Sequence, residues 1–290
     1  MTATKTQPEK FDLRHAPLRI GKVRLNVRDL QKVSAFYQDA LGLSPADSEP
    51  NRIMLGAGPE PLIELVQRPG LPPRDPSSTG LFHTAFLLPE RADLGRWLAH
   101  VRKRGIRLQG ASDHNVSEAI YLSDPEGNGI EVYADRPEAD WRSQDGGIVM
   151  ATDPLDTDSL LRSATGPLWA GAPKGTMVGH MHLQVGELAA AEAFWQDILG
   201  FDLTSRYPGA SFFGSGGYHH QVAANIWNSR GAAARHDETA GLTGFELVAR
   251  NHEARDAIAA RAEASGYLVS REAGTVILRD PWNIRIKLKV

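Results

Sequence analysis

The fold of this chain is decided by a stretch that occurs twice, first as GKVRLNVRDL at residues 21–30 and again as GHMHLQVGEL at residues 179–188. Downstream of it, AFYQDALG at residues 35–42 recurs as AFWQDILG at residues 193–200. Both pairs of segments are separated by 158 residues. Two matches at one spacing indicate a duplication rather than chance similarity. The chain therefore contains at least two copies of one structural unit.

Each copy begins as a strand and continues as a helix. Val23, Leu25 and Val27 alternate with polar residues, which predicts a strand with one buried face. Apolar residues within 33–41 then recur at helical spacing, and Gly42 stands where a left-handed residue would end the helix.

A second pair of units is more diverged but has the same order of elements. Strand-like segments at 81–88 and 242–249 precede helical segments at 92–104 and 253–265. Each unit closes with a hairpin whose turn begins with Asp-Pro. These hairpins are DPEGNGIEV at 124–132 and DPWNIRIKL at 280–288.

The sequence pattern thus predicts four modules, at 19–68, 79–135, 177–230 and 241–290. We expect residues 1–18 to form an N-terminal arm. The first two modules would form one domain, 19–135, and the last two a second domain, 177–290. A linker at 136–176 would join the domains, with a short helix near 156–163.

The bulk composition restricts the classes of function. The 290 residues carry a net charge of −3, which gives no reason to expect nucleic acid or an anionic membrane as partner. No apolar run is long enough to span a membrane, and the polar N-terminus lacks an export signal, so we expect a cytoplasmic protein. There are no cysteines. Ligands for any metal must therefore come from His, Asp and Glu, which favours Fe(II), Mn(II), Zn(II), Ni(II) or Co(II).

Four such modules, with an aromatic-x-x-x-Leu-Gly pattern ending the helix, resemble the vicinal oxygen chelate superfamily. This family includes glyoxalase I, bleomycin-resistance proteins and type I extradiol dioxygenases. The resemblance covers nearly the whole chain and is strongest to two-domain catechol 2,3-dioxygenase-like proteins. The segments that carry it are DHNVS at 113–117, GNGIEVY at 127–133 and GGYHH at 216–220. It implies an α+β fold in which βαβββ modules form two cupped mixed-sheet barrels.

In this family, metal ligands come from the first strand of each module and from a carboxylate near its end. Those positions hold, in chain order, Lys22 and Glu64, His83 and Glu131, His180 and Asn225, and Gly244 and Lys287. Modules one and four are therefore poor metal sites. Modules two and three together supply two histidines and one carboxylate. We expect these two modules to face each other, although the extradiol arrangement would place the metal in the third and fourth.

The resemblance then implies the chemistry. His83, His180 and Glu131 form the two-His, one-carboxylate set that binds Fe(II) and leaves one face open for substrate and oxygen. His182 lies on the same strand face as His180 and is the less favoured alternative ligand. Glu64 would be a ligand only if modules one and two paired.

Acid–base and hydrogen-bonding groups are also implied in these two modules. His220 is the preferred acid–base group, because a histidine transfers protons near neutral pH. His219 is the alternative, since we expect both residues on a strand, with alternation sending their rings to opposite faces. His114 and Tyr121 would hydrogen-bond to oxygen or substrate.

The predicted function is an Fe(II)-dependent extradiol dioxygenase that cleaves a catechol-type aromatic diol with O2 to a semialdehyde, in the breakdown of aromatic compounds. One alternative is a glyoxalase- or epimerase-like isomerase, which a second glutamate ligand would favour. Another is a non-catalytic binding protein of the bleomycin-resistance type, which would lack the metal triad. The substrate's ring substituents stay open, and a homodimer is the assembly common in the family.

Overall fold

A computed structural model describes residues 11–272 and 274–290. Residues 1–10, most of the predicted N-terminal arm, lie outside the described residues. The α-helices are α1 Leu30–Leu41, α2 Arg91–Lys103, α3 Thr157–Arg162, α4 Leu188–Ala193 and α5 His252–Ala264. Short 3-10 helices span Leu13–His15 and Glu138–Asp140, and a π-helical turn, Phe194–Ile198, continues α4.

The strands follow the predicted modules, with four in each. Modules one and two contain β1 Leu18–Val27, β2 Ser44–Glu49, β3 Arg52–Gly56, β4 Pro61–Gln67, β5 Gly80–Leu87, β6 Gly110–Asp113, β7 Ser117–Ser123 and β8 Gly129–Asp135. The linker contains β9 Ser143–Gln144, β10 Gly147–Ile148 and β11 Asp153–Pro154. Modules three and four contain β12 Met177–Gln184, β13 Asp202–Tyr207, β14 Ala210–Gly214, β15 Val222–Asn225, β16 Gly241–Ala249, β17 Leu268–Glu272, β18 Thr275–Arg279 and β19 Arg285–Lys289.

Two large mixed sheets organise these strands, as the α+β prediction requires. Sheet I has eight strands in the order β17-β18-β19-β16-β1-β4-β3-β2. Sheet II has nine, in the order β11-β6-β7-β8-β5-β12-β15-β14-β13. A separate hairpin pairs β9 with β10.

The sheets reveal how the modules pair. Strand β5 of module two lies antiparallel to β12 of module three, so these modules share sheet II as predicted. Strand β1 of module one lies antiparallel to β16 of module four in sheet I. Each large sheet therefore draws on both halves of the chain. The division into domains 19–135 and 177–290 stays a prediction.

Local signals in the repeat have the expected structural outcome. Gly42 ends α1 with a left-handed φ of 68°, and its N–H donates to the Tyr37 carbonyl. The predicted linker helix forms as α3, with the Asp156 side chain accepting the N–H of Ser159. The helix of module three differs from α1, because its last turn is π-helical.

Aromatic side chains from the module helices fill the core. Tyr37, Trp97 and Trp195 are fully buried, and burial of such large apolar groups dominates the stabilisation of a core. The indole N–H of Trp97 donates to the Ala40 carbonyl at 2.8 Å, so its polar atom is satisfied inside the core. No helix among the described residues is long and apolar enough to cross a membrane.

Candidate metal centre

The register of sheet II brings the predicted ligands to one place. Glu131 on β8 lies opposite Ala85 on β5, and Ala85 lies opposite His180 on β12. Side chains directly opposite one another share a sheet face. His83, two residues before Ala85, shares that face as well. The small side chain of Ala85 leaves the space between its neighbours free for their longer side chains.

The three side chains converge through their ligand atoms. His83 Nε2 lies 2.9 Å from Glu131 Oε2, and His180 Nε2 lies 3.3 Å from the same oxygen. One ligand atom from each residue lies within 4.8 Å of the others. All three residues are buried.

These residues fit a divalent metal ion. Despite its short distance to Glu131, His83 Nε2 makes no hydrogen bond with the described residues. A buried polar atom without a partner is costly, and a metal ion would supply the missing interaction. Two imidazoles and one carboxylate are the donor set that suits Fe(II), Mn(II) and related ions.

Electrostatics favour an ionised Glu131 carboxylate beside a neutral His180 imidazole. Burial raises the pKa of Glu131, but the attraction of His180 and His83 outweighs it, so this pKa lies well below its ordinary value. Burial lowers the pKa of His180, although Glu131 opposes that effect. A neutral imidazole has the free lone pair that metal binding requires.

His182 lies beside the triad but outside the group of converging ligand atoms. It pairs directly with His83 across β5 and β12, and the two ring centroids are 4.8 Å apart. Its ring packs against Phe82 and Trp227 at 4.9 and 5.4 Å. Burial, together with His83 and His180, lowers the pKa of His182 well below its ordinary value. It therefore forms part of the cavity wall next to the triad.

Tyr121 and His114 form a hydrogen-bonded pair above Glu131. Tyr121 lies directly opposite Glu131 in the β7–β8 hairpin. His114 Nδ1 lies 2.6 Å from the Ala151 carbonyl, so this nitrogen must be the donor. His114 Nε2 lies 2.6 Å from the Tyr121 hydroxyl, within hydrogen-bond distance. Burial and the charge of Glu131 raise the pKa of Tyr121 well above its ordinary value, which keeps its hydroxyl protonated.

His219 and His220 depart from the sequence expectation. They lie in the segment between β14 and β15, not on a strand, because a turn at Gly216 and Gly217 (φ of 71° and 91°) separates them from β14. Strand alternation therefore does not apply. Instead of facing apart, their Nδ1 atoms lie 2.8 Å from each other.

A buried network behind these histidines was not predicted. His219 Nε2 lies 3.0 Å from Asp135 Oδ1 at the end of β8. The Tyr218 hydroxyl also contacts Asp135, at 3.0 Å from Oδ2, and lies 2.8 Å from the Tyr133 hydroxyl. No pattern in the sequence singles out Asp135, because it belongs to none of the motifs that carry the predicted site residues.

A cavity of about 470 Å³ opens in front of the triad. Its wall includes His220 and His182 as well as His83, Glu131 and His180. The remaining wall is largely apolar or aromatic and includes Phe82, Leu122, Ile130, Met150, Tyr207, Phe212 and Trp227. Concave, mostly apolar cavities with a few convergent polar groups are typical of small-molecule sites.

Part of this cavity wall comes from the linker. Met150, Ala151 and Thr152 line the cavity. They are held there because β11 pairs with β6, which places Asp153 opposite Asp113. The linker was predicted only to join domains, and its periodicity carries no signal for a role in the site.

Comparisons with known proteins establish the family of the chain. The sequence profile of the Glyoxalase/Bleomycin resistance protein/Dioxygenase superfamily matches residues 19–132 and 177–288. A catechol-2,3-dioxygenase of Bacillus subtilis is 39% identical over 274 residues, which cover 92% of this chain and 95% of that protein. A biphenyl-2,3-diol 1,2-dioxygenase of Rhodococcus globerulus is 32% identical over 120 residues, covering 40% of this chain and 63% of that protein.

A solved structure supports the fold. Glyoxalase I of Zea mays aligns with a TM-score of 0.55 at 14% identity, covering 95% of this chain and 93% of that one. The family profile spans most of all four modules, and the Bacillus relative matches nearly end to end. The chain therefore belongs to the glyoxalase/bleomycin resistance protein/dioxygenase superfamily.

Proposed function

We propose that this protein is an extradiol dioxygenase that opens the ring of a catechol-type diol at an Fe(II) ion held by His83, His180 and Glu131. The observation that carries the proposal is the convergence of these buried ligand atoms within 4.8 Å, at the wall of an aromatic-lined cavity. Similarity to a catechol-2,3-dioxygenase along 92% of the chain supports the same reaction class. The product would be a ring-opened semialdehyde containing both atoms of O2.

The bound Fe(II) would supply open coordination positions for the diol and O2 and a path for electrons between them. The protein would supply the charge and the apolar surface that bind the diol. The net charge of one carboxylate and a divalent ion is positive, which favours binding of the diol as an anion. Aromatic residues such as Phe82 and Phe212 offer apolar surface to the substrate ring.

His220 is the group we assign to proton transfer from the diol. Burial, with the nearby His180 and His219, lowers its pKa well below the ordinary value, so the ring is neutral. Its Nε2 makes no hydrogen bond with the described residues, and its side chain lines the cavity. That nitrogen can therefore accept a substrate proton.

The network behind His220 would fix which nitrogen is free. A carboxylate only accepts hydrogen bonds, so His219 Nε2 donates its proton to Asp135 at 3.0 Å. If that is the single proton on the His219 ring, Nδ1 of His219 is an acceptor and His220 Nδ1, 2.8 Å away, donates to it. His220 Nε2 then carries the lone pair that faces the cavity. Asp135 and His219 act as positioning residues in this scheme, in the way a carboxylate orients a catalytic histidine.

His114 and Tyr121 would hydrogen-bond to O2 or to the substrate oxygens from the other side. Their 2.6 Å hydrogen bond holds the Tyr121 hydroxyl over the site, and the Ala151 carbonyl holds the His114 ring. Because Ala151 belongs to the linker, the position of the linker in the cavity wall helps to fix the placement of these groups.

The isomerase alternative is less well supported. A second glutamate at the metal would favour it, but the group of converging ligands among the described residues contains one carboxylate, Glu131. Glu64 lies in sheet I, where it pairs with Lys22 at 3.2 Å. A binding protein without a metal is disfavoured by the presence of the complete two-His, one-carboxylate set.

The proposal is tested by activity. The purified protein is treated with a chelator, reconstituted anaerobically with Fe(II), and mixed with catechol and then air. We expect the absorbance of a yellow semialdehyde to appear with Fe(II) and to be absent without it. The His83→Ala variant should lose this activity to below detection, because one of three ligands is gone.

A matched control separates loss of the ligand from loss of any histidine. His252 is exposed at the start of α5, so His252→Ala should retain full activity. Unchanged turnover in His83→Ala would show that the metal binds elsewhere. Isomerisation of a carbonyl substrate with Ni(II) or Zn(II), and no oxygen uptake with Fe(II), would favour the isomerase.

A further inference from the structure

Sheet I contains a second cavity at the position that corresponds to the metal centre of sheet II. Its volume is about 260 Å³. The lining includes Lys22, Glu64 and Lys287, residues at the positions where the family carries metal ligands in modules one and four. It is chemically unlike the first cavity, because most of its functional groups are charged.

The register of sheet I aligns the charged residues in one row. Glu64 on β4 lies opposite Arg24 on β1, and Arg24 lies opposite Gly244 on β16. Gly244 lies opposite Arg285 on β19, and Arg285 lies opposite Arg279 on β18. Opposite residues share a face, so arginines stand on both sides of the glycine.

Gly244 keeps the centre of this row open. A Cβ added there would lie 2.3 Å from the Arg285 carbonyl oxygen, so no larger residue fits without movement of the strands. The floor of the cavity at this point is therefore backbone, flanked by Arg24 and Arg285.

The carboxylates of the cavity are already neutralised. Six lysines and arginines line it against three carboxylates. Each carboxylate has a cationic partner: Glu64 with Lys22 at 3.2 Å, Glu246 with Lys289 at 2.7 Å, and Asp237 with Arg279 at 2.7 Å.

Some cationic side chains of the cavity are not paired with any of its carboxylates. Arg68 and Lys287 make no ion pair or side-chain hydrogen bond with the described residues. Arg285 reaches Glu272, outside the cavity lining, at 3.7 Å, and its buried Nε has no hydrogen-bond partner among the described residues. A buried guanidinium N–H without an acceptor carries an energetic cost that a bound anion would remove.

We propose that this cavity binds a small anion that carries two or more negative charges on phosphate or carboxylate groups. Arginine presents paired N–H donors that match the oxygens of both groups, and lysine adds a point charge. The surplus of cations supplies long-range attraction. The volume lies just below the range of typical drug-sized ligand pockets, which suits a compact anion. This site is independent of the reaction in sheet II.

The experiment is isothermal titration calorimetry of the full chain at low ionic strength with inorganic pyrophosphate, citrate and inorganic phosphate as probes. We expect one molecule of pyrophosphate or citrate to bind per chain, more tightly than phosphate. Binding should weaken as NaCl is added, because salt screens the attraction. Binding of pyrophosphate alone would identify phosphate groups as the recognised chemistry, and binding of both would extend it to carboxylates.

Variants locate the binding. Arg285→Ala and Lys287→Gln should each weaken it by about tenfold or more, as expected for loss of a charge-assisted hydrogen bond. Arg107→Ala removes an exposed positive charge outside the cavity and should bind as the unmodified chain does. Glu131→Gln should also bind unchanged, which excludes capture of the probe through the metal centre.

Two results would overturn the proposal. One is the absence of measurable heat with all three probes, together with no rise in the melting temperature when pyrophosphate replaces chloride at equal ionic strength. The other is equal affinity in Lys287→Gln and Arg107→Ala. Lys287 is partly exposed on the last strand, so its variant stays informative if Arg285→Ala does not fold.

Discussion

Apart from the extra edge strand β11, sheets I and II arrange their module strands in the same order, yet their central positions carry opposite chemistry. In both, the first strands of two modules lie antiparallel at the middle, as β1 with β16 and β5 with β12. In sheet II the carboxylate Glu131 faces the histidines His83 and His180. In sheet I the equivalent carboxylate Glu64 faces Lys22 and Arg24.

The difference shows that one architecture can hold either a set of metal ligands or a set of positively charged side chains. Neutral imidazoles leave a lone pair for a cation, whereas lysine and arginine supply the positive charge themselves. A metal ion beside Lys22 would meet charge repulsion instead of a ligand. The sheet supplies a concave face and a register, and a few side chains decide what binds there.

The largest expected effect comes from changing the carboxylate in each sheet. Glu131→Gln keeps the shape but removes the anionic ligand, so we expect metal content and ring-cleavage activity to fall below detection. Glu64→Gln should leave both unchanged, because Glu64 contacts cations in the other sheet. Metal analysis after dialysis, with the activity assay, measures both. Equal metal loss in the two variants would show that the comparison of the sheets is mistaken.

A smaller effect should follow from changing the network behind His220. Asp135→Asn weakens the hold on His219, so the preference for the reactive form of His220 is lost. We expect kcat to fall by about 10–100-fold while metal content and KM stay nearly unchanged. Tyr218→Phe removes one donor to Asp135 but keeps the His219 contact, and should cost less.

Steady-state kinetics across pH, with metal analysis, separate this role from a structural one. A positioning role moves the pH profile of kcat, whereas simple loosening of the fold lowers kcat at every pH alike. If Asp135→Asn and Tyr218→Phe behave identically, Asp135 has no special role toward His219.

The smallest effect on activity is expected from a contrast between the Asp-Pro turns of modules two and four, which concerns stability. In module two, Asp124 Oδ2 accepts the Asn128 side chain at 2.8 Å. In module four, residue 284 is isoleucine, and Asp280 Oδ2 has no partner among the described residues. Burial raises the pKa of Asp280 to about 7, although its other oxygen accepts backbone N–H groups.

A pKa that is raised in the folded state makes the stability of the protein depend on pH in a defined direction. The unfolded carboxyl loses its proton near pH 3.8, while the folded one keeps it to about pH 7. Stability from this group is therefore present at low pH and lost as the pH rises from about 4 to 7. Asp280→Asn should flatten this dependence by up to about 3 kcal/mol between pH 5 and 7. Urea unfolding at several pH values measures it, and parallel pH profiles for the two proteins would contradict it.

Much of the fold follows from local patterns in the sequence. The alternation of Val23, Leu25 and Val27 and the Gly42 helix end each depend on near neighbours in the chain, and the structure has them as expected. The identity of His83, Glu131 and His180 as a group came from matching module positions to a family. Each of these signals can be read from the order of residues along the chain.

Other parts of the site were decided only by tertiary structure. Modules two and three were expected to pair because together they hold the ligands, but strand alternation is the same for every pairing and leaves the register of β5 with β12 open. The Asp135–His219 contact joins residues 84 positions apart, and Ala151 reaches His114 because β11 pairs with β6. The sequence by itself determined the modules and their chemical groups. Long-range strand pairing decided which groups meet. Backbone hydrogen bonds between strands form in the same way however far apart in the chain the paired residues are.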